Sequence, residues 1–397
     1  MLEKTILKHN EEQKNISVSV IVPVLNTKEY ICECLDSLLK QTLKNIEIIC
    51  VDGGSTDGTV EIIEDYVKRD SRFRLVTDTK GSYGAQVNRG VELAKGTYIA
   101  IAEPDDYVSE GMYEALYEEA IDADADIVKA DYCRFIGESE DRFYFPKSAC
   151  QEHWYGKNLR GKDEKELLEN TPANWSGIYK KSFLIKEKIY HNTTKGAAYQ
   201  DVGFWFLTTI LASEIRFIPV TGYYYRIDNP NSSINAADKE NCLSEELIWL
   251  ENQLKSRDIY DEFQDKYERV KYIHTDWMRR KIEEPTKTKC FNALLKSEKK
   301  SCVLFGCGAD GVEYLVMLKH KGLIDRLKSL TDNDSTLWGK KLLGVPVVNP
   351  NEAVKIYGDV LNNNGIFIIS STRYKEQIKE QLRLCDIKEE NILQIGE

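Results

Sequence analysis

The sequence predicts an α/β protein built on a mostly parallel sheet, and three observations carry that reading. Short β-branched apolar runs alternate with amphipathic segments from Ser17 onward. The alternation gives way to a less regular region and then a helical one, and it restarts near Ser301. A chain of 397 residues also exceeds one hydrophobic core of ordinary size, so several domains are expected. The expected boundaries are an N-terminal extension at 1–16, a nucleotide-binding α/β domain at 17–235, a basic helical linker at 236–298 and a small Rossmann-like α/β domain at 299–397.

In order along the chain, the runs SVSVIVPV, IEIICV, FRLVT, TYIAIA and DIVKA read as strands. Between them, segments 29–39, 56–68, 84–94 and 110–123 place apolar residues three and four apart, the spacing of a helix with one buried face. Continuous apolar strands imply a sheet covered on both faces, with parallel strands joined by right-handed crossovers. Ligands of such sheets bind beyond the carboxyl ends of the strands, so those ends are the places to inspect. Residues 132–235 are rich in aromatic and turn residues, and 239–300 read as helices. Segment 266–300 carries 11 Lys+Arg against 5 Asp+Glu, a local charge of +6. That is either a solvated helix face or a contact with an anionic membrane surface. The restart comprises CVLFGCGADGVEYLVMLKHKG, LKSLTDND and GIFIIS, with no repeat of fixed period anywhere.

Composition removes whole classes of function. At 42% hydrophobic and 30% charged the chain is a globular protein with real cores. A formal charge of -11 disfavours indiscriminate binding to a phosphate backbone, so no nucleic-acid partner is expected. The longest apolar run, near Val18 to Leu25, is far short of the roughly 20 residues of a membrane span. The first residues, MLEKTILKHNEEQKN, do not read as a secretion signal, so a cytoplasmic location is expected, with peripheral contact on the inner membrane face through the basic segment. Ten cysteines without a CxxC pair fit reduced, mostly buried thiols. Five histidines lack metal-binding spacing, so any metal here should prefer oxygen ligands.

Three polar clusters fall at expected strand ends: Pro23-Val24-Leu25-Asn26, Asp52-Gly53-Gly54-Ser55-Thr56-Asp57-Gly58 and Glu103-Pro104-Asp105-Asp106. In the second, the glycines permit a tight turn, Ser55 or Asp57 caps the next helix, and Asp52 presents a carboxylate able to accept from a base or ribose. The third gathers three carboxylates within four residues, which repel one another and call for a cation. Hard oxygen ligands suit Mg²⁺ or Mn²⁺, whose remaining positions are filled by substrate phosphates. A metal-held diphosphate is the chemistry implied.

The string VSVIVPVLNTKEYICECLDSLLKQTLKNIEIICVDGGSTDGTVEII, followed by GAQVNRGVELAKGTYIAIAEPDDYV, resembles the family 2 glycosyltransferases of GT-A fold over residues 17 to about 130. The segments NWSGIYKKSFL, AYQDVGFWF and GYYYRIDNPNSSI resemble the acceptor half of enzymes that build bacterial surface polysaccharides, extending the likeness to about residue 235. The resemblance implies a metal-dependent, inverting transfer from a UDP-sugar to a saccharide or lipid-linked saccharide. It places Pro23, Asn26, Asp52, Asn88, Arg89 and Asp105 at the donor, and Glu103, Asp105 and Asp106 at the metal or ribose. It makes Asp201 the general base, with helix capping as the alternative role for that carboxylate. Trp175, Tyr199, Gln200 and Arg226 become acceptor-side candidates.

The chain departs from the family pattern at Gly53, where a second aspartate is common, and at Val87, where an arginine often stands. Arg89 or Lys80 then supplies the missing contact. In the last domain, Gly306, Gly308 and Gly311 open a helix after CVLF, and Asp332 follows at the distance of a ribose-binding carboxylate, the pattern of a dinucleotide loop. The domain is only about half a full dinucleotide fold, so a scaffold or homodimerisation role stands beside ligand binding. Two further functions remain open on the sequence: a bifunctional enzyme using NAD or NADP through the Gly306 loop, and a nucleotide-sugar-binding protein without catalysis.

Overall fold

The computed structural model describes residues 16–138, 142–169, 172–232, 239–283, 301–371 and 373–394. The chain divides into two compact units, one of residues up to 134 with 146–275, the other of 135–145 with 276 onward.

In the first unit, β1 (Val18–Val24), β2 (Ile46–Asp52), β3 (Phe73–Thr77) and β4 (Tyr98–Ile101) form the parallel side of one sheet. The remaining strands are β5 (Tyr107–Val108), β6 (Ile127–Ile136), β8 (Gly177–Lys180) and β9 (Ile215–Arg226), while β7 (Phe143–Lys147) pairs with β6. The strand order is β3-β2-β1-β4-β8-β6-β9-β5, with β8 antiparallel to both β4 and β6. Every residue of β1, β2 and β4 is buried, as the uninterrupted apolar runs predict for a doubly covered sheet. Helices α1 (Ile31–Leu39), α2 (Thr59–Arg69), α3 (Tyr83–Leu93) and α4 (Met112–Asp122) lie within a few residues of the segments read from periodicity. Ile31, Leu35 and Leu38 of α1 join Val20, Val22, Ile48, Ile63, Tyr98 and Leu116 in one core. Each such fully buried aliphatic side chain contributes roughly 1.5–3 kcal/mol.

The order of strands reverses between β1 and β4, since β2 and β3 build outward on one side and β4 on the other. The loops after Val24, Asp52 and Ile101 therefore meet at one edge, where a ligand crevice belongs.

The aromatic-rich segment folds onto the same unit through α5 (Lys181–Lys186) and α6 (Gln200–Leu211), and α7 (Lys239–Ser256) packs on α6. Buried Glu246 of α7 accepts the Gly203 amide and the Asn192 side chain, both at 2.9 Å. Helix α8 (Tyr260–Glu283) opens the basic segment. There Lys266 donates to the carbonyls of Gly161 and Lys162, Arg269 pairs with Glu169, and Lys271 pairs with Glu268. Residues 284–300 of that segment lie outside the described residues. No helix among the described residues is long and apolar enough to cross a membrane.

The second unit holds β10 (Ser301–Phe305), β11 (Leu327–Thr331), β12 (Lys341–Leu342), β13 (Val345–Val348), β14 (Gly365–Ile369) and β15 (Ile392–Gln394). Their order is β12-β13-β11-β10-β14-β15, and all neighbours are parallel except β12 with β13. Helices α9 (Ala309–His320), α10 (Pro350–Asn364) and α11 (Lys375–Leu384) complete this smaller α/β unit.

Candidate active site

The acidic turn after β4 is held by side chains from β9 and the loop beyond it. Tyr223 Oη donates to Asp106 at 2.8 Å and accepts the Glu103 amide at 2.9 Å. The amide of Arg226 donates to the other Asp106 oxygen at 2.7 Å. The Arg226 guanidinium reaches the Asp105 carbonyl at 3.1 Å and Glu33 at 2.9 Å, and Asn229 donates to the Asp105 carboxylate at 2.7 Å. Glu103 accepts from Tyr83 Oη at 2.7 Å.

Glu103, Asp105 and Asp106, expected at the metal or ribose, are engaged in different ways. Asp106 is 1% exposed, and both its oxygens are spent on protein donors. Among the described residues no group of three His, Cys, Asp or Glu side chains is arranged as a metal shell. Asp105 and Glu103 are half-buried, and among the described residues the Asp105 carboxylate accepts from the neutral Asn229 amide. A divalent ion that takes one protein carboxylate and fills its other positions with phosphate oxygens fits Asp105 alone. At this edge burial outweighs the Arg226 charge, which lowers the Asp105 carboxyl. Burial pushes the Glu103 carboxyl up to about 8, with the charges of Asp105 and Asp201 adding to it. Burial also lifts Asp105, and lifts Asp106 well above the usual carboxylate range, where the neighbouring Asp105 charge reinforces it.

The turn after β2 is a self-contained staple. Asp52, 3% exposed, accepts the amides of Gly54 at 2.9 Å and Ser55 at 3.1 Å. Asn26 accepts the Thr56 amide at 2.8 Å, while its own amide donates to Ser55 Oγ at 2.9 Å. Asp57, rather than Ser55, holds the start of α2, through the amide and hydroxyl of Thr59. Pro23 lies in β1 opposite Val51. At Gly53 a Cβ would stand 3.0 Å from Gln86 Nε2, which ties α3 to the carbonyls of Val24 and Val51.

Helix α6 begins at a strained residue. Tyr199 takes φ of 64°, unusual for an aromatic side chain and a feature that clusters at functional sites. Asp201 in the first turn has its carboxyl raised by burial, against hydrogen bonds from its own amide and that of Val202 and the charge of Lys129. Tyr83 of α3 donates to Glu103 at 2.7 Å and its neighbour Gly84 donates to Gln200 at 2.9 Å, so one turn of α3 touches both the β4 edge and the start of α6.

Several residues expected at a ligand make contacts within the protein. Asn88 bridges the His191 backbone, donating to its carbonyl and accepting its amide, both at 2.9 Å. Arg89 pairs with Glu92 along α3, and Lys80 with Asp78. Gln200, 2% exposed, accepts the Gly84 amide at 2.9 Å and donates to Thr194. Trp175 stacks on Tyr223 and Tyr225, with centroids 4.4 and 5.1 Å away. Arg226 is 2% exposed and braces the acidic turn rather than facing outward. A hydrogen bond needs its partner opposite, and periodicity carries no partner information.

The residues that sequence reasoning missed are Tyr83, Asn229, Glu33, Gln86 and Lys129. Only Lys129 left a signal: a charge in the middle of the apolar run DIVKA, where packing gives no use for one.

In the second unit, Asp332 accepts the Cys307 amide at 2.6 Å and the Asp334 amide at 2.9 Å. Gly311 packs so closely on the loop that a Cβ would lie 2.0 Å from the Gly306 carbonyl, and Gly308 precedes α9. The carboxylate expected at a ribose is thus paired with the loop itself.

Comparison with known proteins follows the same outline. The family model for glycosyl transferase family 2 matches residues 19–186. Glycosyltransferase GlyG of Streptococcus pneumoniae is 35% identical over 215 residues, 53% of this chain and 70% of GlyG. The uncharacterized glycosyltransferase EpsJ of Bacillus subtilis is 47% identical over 221 residues, 54% of this chain and 62% of EpsJ, less than two thirds of that relative's length. The solved structure of S. aureus TarS 1–349 in complex with UDP-GlcNAc shares the fold with a TM-score of 0.55 at 16% identity, covering 78% of this chain and 89% of that one. The chain belongs to glycosyltransferase family 2.

Proposed function

We propose that this glycosyltransferase moves a sugar from a UDP-sugar to a hydroxyl of a saccharide or lipid-linked saccharide in bacterial surface-polysaccharide synthesis, inverting the anomeric carbon. The carrying observation is that α3 links the start of α6 to the β4 acidic edge: Tyr83 Oη donates to Glu103 at 2.7 Å, and the next amide, that of Gly84, donates to Gln200, the neighbour of Asp201, at 2.9 Å. UDP as the nucleotude carrier is supported by the complex in which the TarS fold was solved.

The acceptor hydroxyl gives its proton to the Asp201 carboxylate as its oxygen bonds to the anomeric carbon. The carbon–oxygen bond to the diphosphate breaks on the opposite face, and its electron pair leaves with UDP. Burial raises the proton affinity of Asp201 towards working pH, which suits a base and supports a gain of about 10²- to 10⁴-fold. Asp105, with the donor's phosphates, would hold a Mg²⁺ or Mn²⁺ ion, which supplies neutralisation of the leaving charge. Tyr223, Arg226 and Asn229 fix the turn that presents Asp105. The 301–394 unit is read as a scaffold or dimer-forming module, because Asp332 is engaged by Cys307 and Asp334.

The test is UDP release from a panel of UDP-sugars with candidate acceptors, with and without Mn²⁺. Acceptor-dependent release that needs the ion is expected, and Asp201→Asn should keep UDP affinity while turnover falls about 10²-fold or more. Tight UDP binding with no turnover on any acceptor would replace this reading with a binding protein.

A further inference from the structure

We propose that Lys129 is a positioning residue for the acceptor base: its ammonium, threaded across β8 and laid on the Trp205 ring, holds the Asp201 carboxylate in its proton-accepting form and place. The inference rests on the reading of Asp201 as base. Lys129 sits inside β6 and is 2% exposed. Its neighbour across the ladder is Gly177, where a Cβ would lie 3.1 Å from Lys129 Cγ and 2.3 Å from the Val128 carbonyl. The missing side chain leaves a path for the lysine stem over β8.

At the far end, Nζ donates to the Pro172 carbonyl and stands 4.2 Å from the centroid of the Trp205 ring. Trp205 follows Asp201 by four residues on α6, so the two share one helix face. Two residues beyond Pro172, buried Asn174 donates to the Asp201 carbonyl at 3.3 Å. One short loop therefore ties down both the lysine and the first turn of α6. A lone ammonium in an apolar strand is costly unless an anion compensates it. Burial pulls Lys129 down to about 7 while the Asp201 charge opposes that shift, and Lys129 in turn lowers the Asp201 carboxyl. Lys129 also lines a polar cavity of about 200 Å³ whose walls include Tyr132, Ser148, Glu169 and Ser176.

The other titratable groups acting with Asp201 are Glu103 after β4, Tyr83 of α3, Tyr179 of β8, Tyr199 at the α6 start and Glu246 of α7. None of them is a cation. Removing Lys129 should then leave Asp201 among acids and phenols, and its proton should bind more tightly.

The experiment compares Lys129→Met and Lys129→Arg in the full chain. Lys129→Met is expected to lower kcat about tenfold near pH 6, leave KM for the donor unchanged, and move the acid limb of the pH profile up by about 1 unit or more. Lys129→Arg should restore the limb. A Lys129→Met profile that superimposes on the wild type, or arginine that rescues nothing, overturns the proposal. A second measurement needs no turnover: in protein carrying ¹³Cε-lysine, one lysine should titrate near neutral pH and its midpoint should fall in Asp201→Asn. Lysines that all titrate in the ordinary range, or a midpoint indifferent to Asp201→Asn, also overturn it. Full turnover in Asp201→Asn would instead remove the base reading, whatever the lysine titration shows about the pair.

Discussion

Tyr223 and Asp106 share a 2.8 Å hydrogen bond at the carboxyl edge of the sheet, and the same phenol oxygen accepts the Glu103 amide at 2.9 Å. One side chain from β9 thus clamps the first and last residues of the acidic turn. Tyr223 is fully buried, so Tyr223→Phe keeps the ring and loses only these two bonds. An unsatisfied buried carboxylate oxygen costs about 1–3 kcal/mol. A lower melting temperature is expected together with weaker Mn²⁺-dependent UDP binding, because Asp105 loses its frame; unchanged values in both assays would show that the clamp is dispensable.

Asp105 and Asp106 are adjacent in sequence and different in situation. Asp105→Asn should abolish Mn²⁺-dependent gain in UDP affinity while leaving the melting temperature of the free protein within a degree or two. Asp106→Asn leaves one oxygen for two donors, so either the Arg226 amide or the Tyr223 hydroxyl loses its acceptor, and the fold should lose about 1–3 kcal/mol. Calorimetric titration of UDP with and without Mn²⁺, alongside thermal melts, separates the two. Equal loss of ion dependence with no loss of stability in both variants would restore the shared-ion arrangement.

Asn88 is the donor-side candidate whose role moves most. Its side chain replaces a main-chain partner for His191 in both directions, so Asn88→Ala leaves a buried amide and carbonyl without partners. The expected loss is about 2 kcal/mol of stability with UDP affinity retained. A selective loss of UDP affinity at unchanged stability would return Asn88 to the donor site.

Strands and helices of the first α/β stretch were legible because burial leaves its mark on composition: SVSVIVPV and TYIAIA have no polar face, and both are buried throughout β1 and β4. Strand-end positions of Asp52, Glu103, Asp105 and Asp106 followed from the same pattern. Partner identity did not. Tyr223 reaches Asp106 across 117 residues and Asn229 reaches Asp105 across 124, and no local spacing encodes such pairs. The aromatic-rich region hid its order for a related reason, since Trp175, Tyr223 and Tyr225 stack on one another rather than following a periodicity of one element. Acidic residues packed in a row read as a metal shell, and nothing local shows that Glu103 and Asp106 accept hydrogen bonds from Tyr83, Tyr223 and the Arg226 amide.

Glu246 supplies a pH dependence of stability that is independent of catalysis. It is 1% exposed, and burial pushes its carboxyl up to about 8 despite hydrogen bonds from Asn192 and the Gly203 amide. In the unfolded chain the same carboxyl titrates near its ordinary value of about 4.3. Between these two values the folded protein holds a proton that the unfolded chain has released, so stability must fall as pH rises. Glu246 contributes its full stabilising effect below the unfolded value and loses it through about pH 8. Melting temperatures measured without donor or divalent ion should therefore decline from pH 5 to pH 8. Glu246→Gln mimics the protonated form at every pH, so its decline over that range should be shallower than the wild type's. Parallel curves for the two proteins would mean that Glu246 is ionised in the fold at neutral pH, and that the Asn192 and Gly203 donors outweigh its burial.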